Sequence, residues 1–181
     1  MRLLTLCGSL RSHSSNREML RAFERLAPAE MTFEHFERLG DLPHFNPDLD
    51  NDTALPHEAA EWRRAVGAAD VMLISTPEYA HGLPGSFKNA LDWLVSDPAF
   101  AGKCIVILSA ARGSTWAQES LREVLRTMSA RIIEDASVSL PLGSNKVDVE
   151  SILAQDDLRT ILLRSCQALM VGFNEPDLLQ S

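Results

Sequence analysis

The chain has 181 residues, with 17 Lys and Arg against 25 Asp and Glu and a formal net charge of −8 at pH 7. The charges are scattered and no basic stripe forms, which argues against nucleic acid as a partner. The length and the lack of a long Pro, Gly or Ser linker predict one domain over residues 1–181, able to bury roughly 70% of the surface its unfolded form exposes.

Leu3 to Cys7 reads as a short buried strand, with Met1 leading directly into it. That leaves no room for a signal peptide, and no apolar run approaches the roughly 20 residues needed to span a bilayer. A cytoplasmic address without membrane insertion is expected. The loop Gly8 to Asn16 follows, then a helix on which Met19, Leu20, Phe23, Leu26 and Ala27 repeat at helical spacing.

Met31 to Phe36 is a weaker strand, and Gly40 to Asp48 is a polar, turn-rich loop. A helix with Trp62, Ala65, Val66 and Ala69 on one face comes next. Val71 to Ser75 is a continuous apolar run of the kind a central strand carries, and the Pro77 to Gly85 loop leads from it into a helix through Ser96.

Ile105 to Leu108 repeats the central-strand pattern, and the loop Ser109 to Thr115 precedes a helix with Ala117, Leu121, Val124, Leu125 and Met128 on one side. Ile132 to Val138 supplies a fifth, edge-like strand, and the last helix carries Leu158, Ile161, Leu162, Cys166, Leu169, Met170 and Phe173 in register. Strands alternating with helices predict an α/β fold with a doubly wound parallel sheet, whose three strand-to-helix loops meet where such folds bind ligands.

The first loop lacks both GxGxxG and GxxxxGK[ST], so glycines do not arrange it around a pyrophosphate or triphosphate. Ser9, Ser14, Ser15 and Asn16 instead offer hydroxyl and amide donors at a helix start, and Arg11 adds paired N–H donors, a set suited to one terminal phosphate. The alternative is that Ser14 to Asn16 only cap the helix and Arg11 is a solvated surface charge. A Cys-x5-Arg phosphatase spacing from Cys7 requires Arg at position 13, where His13 stands.

In the second loop Pro77 and Pro84 restrict the backbone, Gly82 and Gly85 permit close approach, and Tyr79 offers an aromatic face to a planar heterocycle. His81 reads as a surface or packing residue more readily than as a general acid, and Glu78 as half of a loop-fixing or inter-subunit pair. Phe87 reads as core, and Trp93 as packing or an oligomer contact. Cys7, Cys104 and Cys166 show no CxxC spacing and read as buried reduced thiols, with no metal site.

Gly8-Ser9-Leu10-Arg11 with Ser14-Ser15-Asn16, Pro77-Glu78-Tyr79, and Leu83-Pro84-Gly85-Ser86-Phe87-Lys88-Asn89-Ala90-Leu91-Asp92-Trp93 together resemble the NAD(P)H-dependent FMN reductase family, which includes chromate, quinone and azo reductases. Leu39 to Leu49 is also similar to that family's loop after the second strand, so the resemblance spans nearly the whole chain.

The resemblance implies a flavodoxin-like three-layer α/β/α sandwich with a five-stranded parallel sheet in the order 2-1-3-4-5. It implies that Ser9, Arg11, Ser14, Ser15 and Asn16 hold the FMN phosphate. Pro77, Glu78, Tyr79, Ala80, His81 and Gly82 form the loop lining the isoalloxazine, and Ser109, Arg112 and Gly113 are candidates for contacts near the ring edge or with an adenine phosphate, a plain turn being the alternative. Ala80 and His81 stand where the family commonly has Asn-Gly, and Ser109 to Thr115 lacks a paired-Gly turn.

The implied activity is hydride transfer from NADPH or NADH through FMN to a quinone, free flavin or other small acceptor. The cofactor carries the chemistry, so no catalytic side chain is expected. Homodimers or homotetramers are implied as well. The alternatives are a non-enzymatic FMN electron carrier, whose T-x-T-G-x-T loop is absent, and a redox-sensing flavoprotein.

Overall fold

The computed structural model describes residues 1–110, 115–142 and 147–174. Its strands are β1 (Arg2–Cys7), β2 (Thr32–His35), β3 (Val71–Ser75), β4 (Cys104–Ala110), β5 (Arg131–Ile132) and β6 (Val138–Leu140), and its helices are α1 (Ser15–Leu26), α2 (His57–Ala68), α3 (Gly85–Asp92), α4 (Trp116–Thr127), α5 (Val149–Leu153) and α6 (Asp156–Asn174). Every strand pairing is parallel and the main order is β2-β1-β3-β4-β5, the arrangement the family resemblance implies.

Successive side chains on a strand point to opposite faces, so a strand covered on both sides is apolar at every position. Leu4, Leu6, Met72, Ile74, Ile105 and Ile107 enter one core with Trp62, Phe87, Leu91, Leu121 and Leu125 of α2, α3 and α4. Leu3, Val71, Leu73, Val106 and Leu108 enter the other with Met19, Phe23, Leu158, Leu162 and Leu169 of α1 and α6. Two cores on one sheet make three layers. The edge strand β2 has no buried residue, which is why its signal in the sequence is faint.

The single fifth strand expected over 132–138 is two short strands. A 3-10 turn at Glu134–Ala136 interrupts it, and β5 and β6 each pair with a different part of β4, giving six strands instead of five. The break leaves no orphan on the central strand: the Ile107 N–H donates to the Ser137 hydroxyl at 3.0 Å, and that hydroxyl donates to the Ile133 carbonyl at 2.9 Å. The helix α5, closed by a reciprocal Asp148–Ser151 capping box, also lay outside the sequence reading.

Much of the Lys88 to Trp93 motif serves to anchor a loop. Asn89 accepts the Phe45 N–H at 2.7 Å and donates to the Pro43 carbonyl at 2.9 Å, while buried Trp93 donates its indole N–H to the same carbonyl at 2.8 Å. Trp93 is therefore packing. Of the three cysteines only Cys166 is buried, its thiol pushed up to about 12 by desolvation; Cys7 and Cys104 are partly exposed, so the expectation of three buried thiols holds for one.

Arg63 crosses to the neighbouring loops, donating to Asp50 at 2.6 Å and to the Trp93 carbonyl at 2.7 Å, and Ser96 donates to both Asp50 oxygens. Burial pushes the Asp50 carboxyl up, but the Ser96 and Arg63 hydrogen bonds and the Arg63 charge outweigh it and hold it below the usual carboxylate range. A depressed folded value means the contribution is complete above about pH 4 and lost as pH falls through the folded value. In urea melts, the stability gap between the wild type and Asp50→Asn is expected to narrow between pH 7 and pH 3; a constant gap would remove Asp50 from the acid response.

Candidate functional site

Parallel register aligns the C-terminal ends of β1, β3 and β4, with Cys7 opposite Ser75 and Ile74 opposite Ile107. The loops that leave these ends emerge side by side. The first delivers α1, whose N-cap Ser14 is extended and makes no side-chain cap hydrogen bond. The first-turn amides of a helix have no intrahelical acceptor, and here the Ser14 side chain does not take them up.

Buried Ser9, Ser14, Ser15 and Asn16 surround this terminus. Asn16 accepts the Ser75 hydroxyl at 2.9 Å, which orients its amide and leaves the NH2 as a donor. Arg17 was not singled out from the sequence, because it reads as an ordinary helix cation. It donates to the carbonyls of Arg11 at 2.8 Å and Ser12 at 2.9 Å, holding the loop in shape. The Cys7 thiol beneath is pushed up, chiefly by burial, which disfavours the thiolate a phosphatase nucleophile needs.

The second loop turns back on itself: Tyr79 N–H donates to the Gly82 carbonyl at 3.0 Å and Gly82 N–H to the Tyr79 carbonyl at 2.9 Å. Ala80 and His81 form the tip with φ of 49° and 61°. A two-residue turn with positive φ at both central positions favours Asn-Gly, and here Ala80-His81 occupies it. For L-residues other than Gly the left-handed region costs roughly 1–2 kcal/mol each. Ala80→Gly is therefore expected to stabilise the ligand-free protein by about 0.5–1 kcal/mol in urea denaturation, after the greater freedom of Gly in the unfolded chain is subtracted; a loss of stability would refute the strain.

Glu78 ties this loop to the third element of the site. One carboxylate oxygen accepts the Ala117 N–H in the first turn of α4 at 3.0 Å, and the other lies 3.2 Å from His81 Nδ1. Between the loops lies a cleft of about 340 Å³, walled by Ser9, Arg11, Ser14, Ser15 and Asn16 from the first, Pro77, Glu78 and Tyr79 from the second, and Ser109 from the end of β4. Ala80, His81 and Gly82 do not reach the wall; they make the turn that carries Tyr79. Arg112 and Gly113 lie outside the described residues.

Thr76, Ala110, Ala117 and Gln118 also line the cleft and were missed. Thr76 is the first residue beyond an apolar strand, and Ala117 and Gln118 belong to a helix start far along the chain; only an A-Q pair opening a helical pattern was there to mark them. The volume lies within the range of roughly 300–1,000 Å³ usual for small-ligand sites. Uncapped amides, four buried polar side chains and Arg11 at one end, with Tyr79 at the other, suit a molecule with a phosphate and a flat ring, and FMN fits that description.

A parallel sheet in the order 2-1-3-4-5, with an anion-receptive helix terminus at the carboxyl ends of its strands, is a flavodoxin-like cofactor-binding fold. The chain belongs to the NADPH-dependent FMN reductase family, whose profile matches residues 1–145. It is 30% identical over 156 residues to a quinone reductase of Escherichia coli K12, covering 83% of each chain. It is 31% identical over 176 residues to an NAD(P)H-dependent FMN reductase of Pseudomonas aeruginosa, covering 94% of each. In fold it is similar to the flavoenzyme NAD(P)H:(acceptor) oxidoreductase FerB of Paracoccus denitrificans, with a TM-score of 0.71 at 22% identity over 94% of this chain and 98% of that one.

Proposed function

We propose that this protein is an FMN-dependent NAD(P)H oxidoreductase that passes hydride from NADPH or NADH through bound FMN to a quinone, free flavin or similar small acceptor. The observation that carries the reading is the uncapped start of α1, opening into a cleft walled by Ser9, Arg11, Ser14, Ser15 and Asn16. FMN, when bound, supplies the acceptance and donation of hydride.

The chain's own part is to bind and orient. Ser9, Ser14, Ser15, Asn16 and the first amides of α1 would hold the phosphate, with Arg11 balancing its charge. Pro77, Glu78 and Tyr79 would line the ring, largely through the loop backbone, with Ser109, Arg112 and Gly113 near its edge. Thr76 and Gln118 join this set from the cleft wall. Holding two flat reactants in one orientation lowers the entropic part of the barrier, which is the contribution a site with no nucleophile can make.

The protein acts in this reading as one domain, in the cytoplasm, as a homodimer or homotetramer, which light scattering on the purified protein checks. No described helix is long and apolar enough to cross a membrane. The test of function is to purify the protein, identify the released flavin, and add NADPH or NADH anaerobically. Bleaching of the yellow colour and its return on adding a quinone are expected. A protein that neither binds FMN nor accepts hydride would sink the reading.

A further inference from the structure

Three exposed planar side chains cluster where the second loop meets α4: Tyr79 lines the cleft, His81 sits at the tip of the same turn, and Trp116 directly precedes the lining residues Ala117 and Gln118. Tyr79 is 48% and Trp116 60% exposed, and the exposed His81 ring meets the Trp116 ring edge-on with centroids 6.1 Å apart. Tyr79 and His81 belong to the strained turn after β3 and Trp116 to the first turn of α4, so their relative position depends on what joins two elements far apart in sequence. Glu78 supplies a direct join, bonded at once to the Ala117 N–H next to Trp116 and to His81 at the tip of the turn.

We propose that Glu78 is a positioning residue: its carboxylate fastens the Tyr79–Gly82 turn to the first turn of α4, and this fastening sets the spacing between Tyr79 and the cleft-lining Ala117 and Gln118 and thereby the size of flat acceptor that the cleft admits. The acceptor clause rests on the oxidoreductase reading above; the fastening does not.

The two bonds to Ala117 and His81 are unequal. His81 has a side chain 74% exposed, and a polar contact so open to water contributes little. The bond to Ala117 is charge-assisted, made by a side chain only 21% exposed to an amide at the positive end of a helix, where a carboxylate is favoured twice over. A turn with two left-handed non-Gly residues persists only where its surroundings over-determine it, and Glu78 is the residue that both enters that turn and leaves it for another element. The neighbours of Trp116, Ala117 and Gln118, line the cleft, so the amide that Glu78 holds belongs to the cleft wall itself.

The first measurement is amide hydrogen exchange on the ligand-free protein, comparing wild type, Glu78→Gln and Glu78→Ala. In Glu78→Ala, exchange at Ala117, Tyr79 and Gly82 is expected to quicken at least tenfold. In Glu78→Gln, which keeps a carbonyl acceptor, Ala117 protection is expected to be largely retained. Unchanged exchange at Ala117 in Glu78→Ala overturns the fastening. The second measurement is KM and kcat of the flavin-loaded enzymes with benzoquinone and with a three-ring anthraquinone. The ratio of the two KM values is expected to shift at least fivefold in Glu78→Ala and much less in Glu78→Gln. Quickened exchange with an unshifted ratio overturns the positioning role and leaves a structural tie. Wild-type protein without reductase activity counts against the oxidoreductase reading and the acceptor clause, while the exchange result still decides the fastening.

Discussion

Gly8→Ala is expected to destabilise the fold by about 1–3 kcal/mol, the usual cost of forcing an extra methyl into a packed position, and to remove most FMN binding. A Cβ on Gly8 would stand 2.1 Å from Thr76 Oγ1, 2.6 Å from Thr76 Cβ and 3.1 Å from Thr76 Cα. Rotating the hydroxyl aside answers the first contact and not the other two, which belong to the backbone and the atom fixed to it. Nor is there slack between the strands here, because the Gly8 N–H donates to the Ser75 carbonyl at 2.8 Å.

Either Gly8 or Thr76 must therefore move. The first carries Ser9 with it and the second carries Pro77, so the two walls of the cleft shift against each other. Thr76→Gly in the Gly8→Ala background removes both close atoms and leaves only the 3.1 Å approach to Cα, so partial recovery of melting temperature and of FMN affinity is expected. A Gly8→Ala protein that melts and binds FMN like the wild type would refute the steric argument.

This pair also shows where sequence reasoning stops. Ser9, the Ser14 to Asn16 run and the Pro77 to Tyr79 loop were legible because each combines a residue type with a local position, a donor at a helix start or a ring after a buried strand. The fold was legible for a similar reason: strands apolar at every position announce a sheet covered on both faces. Thr76 carries no such mark. Its importance is its distance from Gly8, a contact made across two strands that the chain itself does not record.

Arg17 was hidden differently. At a helix start it reads as a solvated cation, and only the folded loop brings the Arg11 and Ser12 carbonyls within its reach. The fifth strand was misread because Ile132, Ile133 and Val138 give the segment strand residues at both ends, while Glu134-Asp135-Ala136 between them, poor strand formers, make the 3-10 break, which is stabilised by Ser137 serving β4 in place of a backbone carbonyl. Ala80 and His81 were noticed as departures from Asn-Gly, and the positive φ at both positions supplies the physical reason the commoner pair is favoured.

Arg11→Ala is expected to weaken FMN binding by about 1.5–3 kcal/mol, the worth of a hydrogen bond to a charged group, or roughly 10- to 150-fold in Kd. Arg11 is exposed, lines the cleft and forms no ion pair with a described residue, so its charge is not already committed within the described structure. Its backbone, by contrast, is held: the Arg11 carbonyl accepts from Arg17, and the loop is shaped before any ligand arrives. Removing the side chain should therefore subtract a contact without collapsing the loop, leaving the melting temperature of the ligand-free protein nearly unchanged. Arg11→Lys keeps the charge and loses the paired donors, so it should fall between the two. Added salt should weaken wild-type binding more than that of Arg11→Ala, because the variant lacks the exposed charge that salt screens. Fluorescence titration of ligand-free protein with FMN at two ionic strengths measures all of these, and an Arg11→Ala affinity within twofold of wild type would return Arg11 to the role of a solvated surface charge.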